Sequence, residues 1–249
     1  MPVDKKQPMQ PIPSVWTRPQ RRKREQPALS RDQIVAEAVR LLDEEGIDAL
    51  SLRRLGTRLN AGATSFYSHV TNKDELIELV VDEVYGEIEV PDADAADWRG
   101  AAGGCARSLR TAILRHPWMA SVLGGVGAAY LGPNMMRISE GMIGMFRKAG
   151  FPVDEADYAV STLTAYVIGM TVSEAAWLTM LARSGGSERE WVERLLPAAE
   201  EAARSHPQLQ EQYAALRGKD PGTTRDDKFD YGLQRVLDGL AGQTDRKER

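Results

Sequence analysis

Hydrogen-bonding side chains are concentrated in one short stretch near the start of the chain. Residues 61–76 read AGATSFYSHVTNKDEL and contain five such side chains within six positions: Thr64, Ser65, Tyr67, Ser68 and His69. Serine and threonine hydroxyls are short enough to let a backbone approach a polar surface, whereas tyrosine and histidine reach further. This mixture can bond to base edges and phosphates, so the stretch is a candidate nucleic-acid contact surface.

Helix start and stop signals before this stretch predict how it is positioned. Ser30 with Gln33 forms a capping box, which begins a helix that ends at Gly46. A short helix within SLRRLGTRLNAG is capped by Ser51, and Asn60 is a residue type that tolerates the left-handed turn after it. The stretch is therefore expected to follow two helices joined by short connections.

A third short helix is expected over about residues 63–70, followed by a capping box at Asn72 and Glu75 and a long amphipathic helix toward Ile88. Two short helices joined by a tight turn after a longer one form the helix-turn-helix arrangement, whose last helix lies in the DNA major groove. Phe66 would then face inward. From spacing alone, a helical hairpin with a polar outer face is the alternative.

The remainder of the chain shows only helical periodicity. Apolar spacing predicts helices over about residues 97–115, 118–123, 133–149, 153–182, 187–204 and 227–241. No segment alternates as a strand does, so the predicted fold is all-α. The apolar segment 158–181 is long enough for a membrane span, but Glu174 near its far end, six serines and threonines and the lack of flanking lysines and arginines favour a buried core or interface helix.

Charge is distributed unevenly along the 249 residues. Residues 1–73 carry 13 lysines and arginines against eight aspartates and glutamates, and the remainder carries 19 against 28. A basic front end favours an anionic polymer as its partner, with a solvated charged tail as the alternative. Cys105 is the single cysteine and the N-terminus has no apolar signal core, so a cytoplasmic protein without metal or cofactor is expected.

The segment LSLRRLGTRLNAGATSFYSHVTNKDELIELV resembles the DNA-binding module of the tetracycline-repressor (TetR) family of bacterial transcriptional regulators. The segments HPWM, LGPNMMR, AGF and FDYGLQRVLDGL are similar to the C-terminal domain of its tetracycline-repressor-like subgroup. The resemblance implies a homodimer that binds a palindromic operator through an N-terminal three-helix domain and releases it when a larger helical domain binds a small effector. It implies an arm at 1–29, a helix-turn-helix domain at 30–75, a connecting helix at 76–91, and a ligand-binding and dimerisation domain at 92–249.

The family pattern assigns DNA contacts to individual residues. It places base or groove-edge contacts on Arg53, Ala63, Thr64 and Ser65, and phosphate contacts on Ser51, Tyr67, His69 and Lys73, with Ser68 on the same surface. The basic arm, with Arg18, Arg21, Arg22, Lys23 and Arg24, is expected to follow a neighbouring minor groove. A merely solubilising arm is the alternative.

A candidate effector site lies on the predicted 153–182 helix and the helix before it. Residues at three- and four-residue steps share one face, and the predicted lining is Thr162, Tyr166, Met170, Ser173, Glu174, Trp177, Met135, Met142, Met145, Phe146 and His116. An ordinary core with a satisfied glutamate is the alternative. A magnesium–tetracycline complex is not expected, because only His116 among the three histidines could line this site.

The last predicted helix carries an apolar stripe that needs a partner. We expect it to form a four-helix dimer interface with the 153–182 helix, as in the resembled family, through Gly169, Phe229, Leu233, Val236, Leu237 and Leu240. Two rivals remain from the sequence: an architectural DNA-binding protein without effector, and a helical enzyme using Glu174 and His116. No nucleophile arrangement or metal-ligand spacing supports the enzyme.

Overall fold

The computed structural model describes residues 29–66, 68–92, 97–123 and 131–244. Every regular element in these ranges is a helix, which confirms the predicted all-α fold. The chain forms two compact units: the first comprises the residues up to 88 together with 121–140, and the second comprises 89–120 and the residues from 141 onward. Residues 121–123 and 131–140, which the sequence interpretation assigned to the C-terminal domain, lie in the first of these units.

The first unit begins with four short to medium helices. They are α1 (Arg31–Glu45), a 3-10 turn (Ile47–Ala49), α2 (Leu52–Arg58), α3 (Ala63–Phe66) and α4 (Lys73–Tyr85). Helix α1 packs on α2 and α4, and α2 packs on α3. Ile34, Leu41, Leu55, Phe66 and Leu76 are fully buried in this unit, so the inward position predicted for Phe66 is confirmed.

Of the two capping boxes predicted in this region, the structure contains one as predicted and the other in an altered form. Ser30 accepts from the Gln33 backbone N–H at 3.1 Å and Gln33 accepts from that of Ser30 at 2.9 Å, as the sequence predicts. Asn72 accepts from the Glu75 N–H at 2.8 Å, but the Glu75 carboxylate accepts from the N–H of Thr71 at 2.8 Å. The second box is thus displaced by one residue.

The remaining helices form most of the second unit. They are α5 (Trp98–Arg115), α6 (Met119–Leu123), α7 (Pro133–Lys148), α8 (Val153–Ser184), α9 (Glu188–Ala202), α10 (Pro207–Leu216) and α11 (Pro221–Thr244). Helices α5, α8 and α11 pack on one another, and α9 packs on α10 and α11. Trp98, Phe146 and Phe151 form an aromatic cluster with ring centroids 5.2–5.6 Å apart.

Helix α10 and the first turns of α11 are missing from the sequence interpretation. Helix α10 buries none of its residues, and its ten residues carry only Leu209, Tyr213 and Leu216 as large apolar side chains, too few to stand out as a helical stripe. Helix α11 begins at Pro221 instead of about residue 227, where Asp220 accepts from the Thr223 N–H at 2.9 Å and caps the helix. Polar and glycine residues in these turns hide the periodicity.

Helix α8 is long and apolar enough to cross a membrane by length and composition. It nevertheless packs against α5 and α11, and Leu163, Val167 and Ala175 are buried in those contacts. The core-helix interpretation explains this burial, whereas a membrane span does not require it.

Candidate functional site

The three arginines of α2 have different surroundings. Arg54 forms an ion pair with Glu45 of α1. The Nε of Arg58 lies 2.5 Å from Glu37, and its Nη2 lies 2.8 Å from Glu44. Hydrogen bonds to Glu44 and then Glu37 raise the pKa of Arg58 above its ordinary value. These two arginines therefore attach α2 to the acidic side of α1.

Arg53, the remaining arginine of α2, is exposed to solvent. Within the part of the chain that the structure describes, its guanidinium has no ion pair and no side-chain hydrogen bond. A guanidinium presents five donors in a planar fork, which fits the two acceptors on the major-groove edge of guanine. Arg53 is the cation of α2 that remains available to an external partner.

The turn between α2 and α3 depends on two residues. Asn60 has a φ of 48°, so the left-handed position predicted from its residue type is confirmed. Gly56 is buried, and a Cβ there would lie 3.0 Å from the carbonyl oxygen of Ala61 and 3.6 Å from the Phe66 ring. The missing side chain lets the turn fold back over α2 while Phe66 closes the space beneath it.

Several predicted DNA contacts also make local hydrogen bonds. Ser51 caps α2, since its Oγ accepts from a backbone N–H at 3.2 Å. Ser68 donates to the carbonyl oxygen of Ser65 at 2.8 Å, and Lys73 donates to that of Ile47 at 3.3 Å. Ser51 keeps its own hydroxyl proton and Lys73 keeps two further N–H groups, so both retain donors for a phosphate.

The other predicted contact residues divide by what the structure describes. Ala63 and Thr64 begin α3, Ser65 and His69 are half-buried, and Ser68 and Lys73 are exposed. Tyr67 and the arm residues Arg18, Arg21, Arg22, Lys23 and Arg24 lie outside the described residues. Arg53, Ser51 and the start of α3 thus occur in consecutive elements of one unit.

In the second unit, Glu174 is at the centre of an ion-pair cluster. Its side chain is only 9% exposed, and its two oxygens accept from Arg110 at 2.7 and 2.9 Å. Arg225 donates a third bond at 3.1 Å. Arg110 also lies 2.7 Å from Asp226 and stacks 4.7 Å from the Phe229 ring centroid. The bond to Glu174 raises the pKa of Arg110 above its ordinary value.

Glu188 extends this cluster to α9. It pairs with Arg225 and accepts from the Trp177 indole N–H at 2.8 Å. Trp177 also meets Trp191 edge-on, with ring centroids 5.4 Å apart. The cluster joins residues from α5, α8, α9 and α11, so its polar groups hold four helices together.

These contacts correct part of the predicted effector site. The Glu174 carboxylate does not need a hydrogen-bond donor from the ligand, because Arg110 and Arg225 already donate three hydrogen bonds to it. Thr162 and Ser173 are exposed, and Thr162 donates back to the Tyr158 carbonyl oxygen at 2.7 Å. Tyr166 donates to the carbonyl oxygen of Phe229 at 2.6 Å. Polar residues spaced along one helix therefore separate into a solvent face and a helix-packing face.

The remaining predicted lining residues occupy apolar surroundings. His116, Met142, Met145 and Phe146 are buried, Met170 and Trp177 are half-buried, and Met135 is half-buried in the first unit. Phe146 belongs to the aromatic cluster with Trp98 and Phe151. A lining role for these residues in an effector site stays a prediction.

The predicted dimer stripe on α11 faces the interior of the subunit. Phe229, Leu233 and Leu237 are at most 1% exposed, and Tyr166 and Arg110 cover the Phe229 ring. These three residues cannot form a surface for a second copy, so their assignment to the interface is wrong. The apolar stripe satisfies its need for a partner within the chain. Val236 and Leu240 are half-buried, and Gly169 is exposed.

Sequence reasoning missed the arginines around Glu174, and of the apolar outer face of α8 it named only Gly169. Arg110 and Arg225 lie 64 and 51 residues from Glu174 in the chain, so no local spacing signals the contacts. The outer face of α8 could have been found by spacing. It carries exposed Tyr158, Ala165, Gly169, Ala176 and Met180, which we call the α8 stripe.

A helix-turn-helix head followed by an all-helical body defines the class of helical DNA-binding regulators. The family model for bacterial regulatory proteins of the tetR family matches residues 34–80. The model for the tetracyclin repressor-like C-terminal domain matches residues 90–244. The chain belongs to the TetR family of transcriptional regulators, as the sequence resemblance indicated.

Relatives named as transcriptional regulators match over most of their length. An HTH-type transcriptional regulator of Saccharopolyspora erythraea is 35% identical over 230 residues, which cover 92% of this chain and 91% of the relative. The HTH-type transcriptional repressor DrrR1 of Streptomyces coeruleorubidus is 33% identical, with 86% and 78% covered.

A solved structure of ActR, a TetR family protein of Streptomyces coelicolor, has the same fold. In complex with (S)-DNPA it matches with a TM-score of 0.72 and 30% identity, over 88% of this chain and all of ActR. Its complex with actinorhodin gives a TM-score of 0.71 at 31% identity, over 86% and 98%.

Proposed function

We propose that this chain is a cytoplasmic, ligand-responsive repressor, which binds an inverted-repeat operator as a homodimer and leaves it when a small, largely apolar effector binds. The observation that carries the DNA-binding half is the contrast among the arginines of α2. Arg54 and Arg58 are neutralised by α1, whereas Arg53 is exposed and unpaired among the described residues. An unpaired cation beside a helix-turn-helix turn is the chemistry that base readout requires.

The proposed DNA surface extends from Arg53 to Lys73. Arg53, with Ala63, Thr64 and Ser65 of α3, would meet base edges, while Ser51, Tyr67, Ser68, His69 and Lys73 would meet phosphates. Lys73 is exposed at the start of α4, where its charge adds to the positive end of the helix dipole. In the same proposal, the arm's arginines add contacts to a neighbouring minor groove.

The α8 stripe supports the homodimer. Its members follow one another at intervals of seven and four residues, which keeps them on one face of the helix. Tyr158 is 64% exposed and Met180 is 39% exposed, and Ala165, Gly169 and Ala176 between them are small. Small residues allow close helix approach, and the stripe extends for about 33 Å. We infer that a second copy of α8 covers it, with Val236 and Leu240 of α11 at its margin.

We place the effector against the apolar residues of the body. Met142, Met170, Trp177 and His116 would supply adaptable and aromatic walls. Since Glu174 is already bonded to Arg110 and Arg225, the effector needs no amine to neutralise it. Release requires only that the effector favour a conformation whose two heads no longer fit the operator, at a coupling of about 1–3 kcal/mol.

Selection of bound DNA from a random pool tests the DNA-binding proposal. The expected product is an inverted repeat with half-site centres about one helical turn, or a multiple of it, apart. Recovery of an asymmetric single half-site bound by a monomer would contradict the homodimer.

Titration of the operator complex tests the effector half. Actinorhodin and (S)-DNPA, which ActR is described as binding, are suitable first probes, with Trp177 fluorescence and DNA release as readouts. A compound that quenches Trp177 and releases DNA at the same midpoint supports the proposal. If a broad panel of small apolar compounds leaves the complex unchanged, the effector-free architectural alternative is favoured.

A further inference from the structure

Helix α2 carries three arginines within six residues, and Arg53 among them is proposed to contact DNA. Arg53, Arg54 and Arg58 lie within a rise of about 8 Å along the helix, which is about the Debye length at physiological salt. Phosphates near Arg53 would therefore also attract the other two guanidinium groups. Unless these two charges are neutralised, α2 is expected to bind DNA of any sequence.

Two carboxylates at the C-terminal end of α1 neutralise these charges. Arg54 pairs with Glu45, and Nη2 of Arg58 lies 2.8 Å from Glu44. Nη1 of Arg58 also lies 3.7 Å from Glu45. The side chains of Glu44 and Glu45 are 56% and 34% exposed, so both pairs form at the surface, where a phosphate would otherwise bind the same N–H groups. We call Glu44 and Glu45 the neutralising carboxylates.

Glu37 has a different role in the same network. Its side chain is 9% exposed and lies 2.5 Å from Nε of Arg58. A buried carboxylate orients the guanidinium, and removal of either partner of a buried pair is costly. Exposed ion pairs contribute little to stability. Glu37 is therefore expected to hold Arg58 against α1, whereas the stability of the head depends little on the neutralising carboxylates.

We propose that the neutralising carboxylates determine DNA specificity, because they pair with Arg54 and Arg58 and so lower the affinity of the head for non-operator DNA. This inference rests on the proposed function, since it needs a DNA-binding surface around Arg53. Sequence-independent binding comes from cations that neutralise phosphates, so each paired arginine removes about one such contact. Non-operator sites far outnumber operators in a genome, and the ratio of the two affinities therefore matters more than either affinity alone.

A freed arginine has different consequences on the two kinds of DNA. On the operator, base contacts hold the head in one position, so the freed arginine gains a phosphate only where one lies within its reach. On non-operator DNA the head slides along the duplex and settles where the most cations meet phosphates. Removal of a neutralising carboxylate should therefore strengthen non-operator binding more than operator binding.

The test is a titration of the full chain with the selected operator and with a duplex of shuffled sequence, followed by fluorescence anisotropy over a series of salt concentrations. The variant is Glu45→Gln, which keeps the side-chain volume and removes the charge. For each subunit that contacts the shuffled duplex, affinity should rise about three- to tenfold at about 0.1 M salt. The slope of log affinity against log salt should become steeper by about one. Operator affinity should change by less than about twofold.

Two further variants identify the source of the gain. Asp48→Asn removes the same charge from an exposed position three residues further along, where Asp48 has no ion pair among the residues that the structure describes. It should leave the ratio of the two affinities unchanged. A double variant, Glu45→Gln with Arg54→Gln, removes the freed cation as well. Its salt slope on the shuffled duplex should return to the wild-type value.

The measurements separate failure of this inference from failure of the proposed function. Circular dichroism melts check folding, and Glu44→Gln, at a more exposed position, takes the place of Glu45→Gln should that variant unfold. The inference is overturned if both affinities rise equally, if the shuffled duplex binds no more tightly, or if Asp48→Asn or the double variant shows the same gain. Wild type that selects no operator would overturn the proposed function, and this inference with it.

Discussion

Arginine serves opposite purposes in the two units of this protein. In the head, two arginines of α2 bind acidic residues of α1, and Arg53 is left exposed. In the body, Arg110 and Arg225 turn inward onto one carboxylate that is only 9% exposed. The α8 stripe on the outer face of that helix is instead uncharged and consists of Tyr158, Met180 and three small residues.

The difference indicates which partner each unit meets. An exposed cation beside a helix-turn-helix turn is suited to binding a polyanion, because no carboxylate among the described residues neutralises its charge. An outward apolar stripe is suited to another protein surface, because its burial releases water. Inward ion pairs serve neither partner and instead orient helices. Burial and pairing thus separate the arginines that orient helices from Arg53, the proposed DNA contact, which residue type alone does not.

The largest expected effect comes from placing a charge on the apolar face of the body. Ala165→Arg puts a cation in the α8 stripe, where a second copy would bury it. We expect monomers, and an operator affinity lowered by more than about 100-fold because one subunit holds one half-site. Sedimentation equilibrium and operator titration measure both. Ala215→Arg, the same change at an exposed position of α10, is the control and should remain a dimer.

Changes at the two carboxylates that Arg110 contacts should have unequal effects. Glu174→Gln leaves two arginines facing a buried amide, and we expect a loss of about 2–4 kcal/mol in the free energy of unfolding. Asp226→Asn should lose less than about 1 kcal/mol, because Asp226 is 66% exposed and screened by solvent. Urea denaturation of each variant gives the comparison. Equal losses would show that burial does not distinguish the two pairs.

Substitution of neighbouring arginines tests the contrast within the head. Arg53→Ala should leave the melting temperature unchanged but reduce discrimination at one base position by about 1–3 kcal/mol. Arg54→Ala should lower the melting temperature slightly and preserve base preference, since its partner is Glu45 of the same unit. Binding-site selection with both variants measures the base preference of each. Full selectivity in Arg53→Ala would remove its proposed role.

The smallest expected effect is a difference in the pH dependence of stability between the capping boxes of α9 and α1. Glu190 accepts from the N–H of Ser187 at 2.9 Å, and this bond and the Ser187 hydroxyl lower the pKa of the carboxyl. A lowered pKa contributes stability above the ordinary carboxyl pKa, and that contribution is lost as pH falls through the lowered value. Glu190→Gln should therefore be less stable than wild type at neutral pH and equal to it in acid.

The matched control is the neutral capping box of α1. Gln33 does not titrate, so Gln33→Ala should cost the same at both pH values. Denaturant unfolding at pH 7 and at about pH 3 provides the measurement. A constant difference for Glu190→Gln would assign its role to packing instead of charge.

The sequence by itself determined the local features of this protein. The Ser30 cap, the turn at Asn60, the inward Phe66 and most helix bounds follow from interactions within a few residues, which local spacing records. Helix α10 was missed because its ten residues carry too few large apolar side chains to show a helical pattern. The family resemblance succeeded for the same reason, since its most specific motif is one continuous segment of the head.

Only the tertiary structure decided whether each of these side chains contacts its own subunit or faces solvent. Arg53 and Arg54 are adjacent in sequence, yet Glu45 on α1 pairs with Arg54, whereas Arg53 has no ion pair among the residues that the structure describes. Glu174 looked like a ligand-binding group until Arg110 and Arg225, far away in the chain, met it. The sequence assigned the stripe with Phe229 to a second copy, whereas its own subunit buries Phe229, Leu233 and Leu237. Helical periodicity specifies that a face is buried, but only packing specifies what buries it.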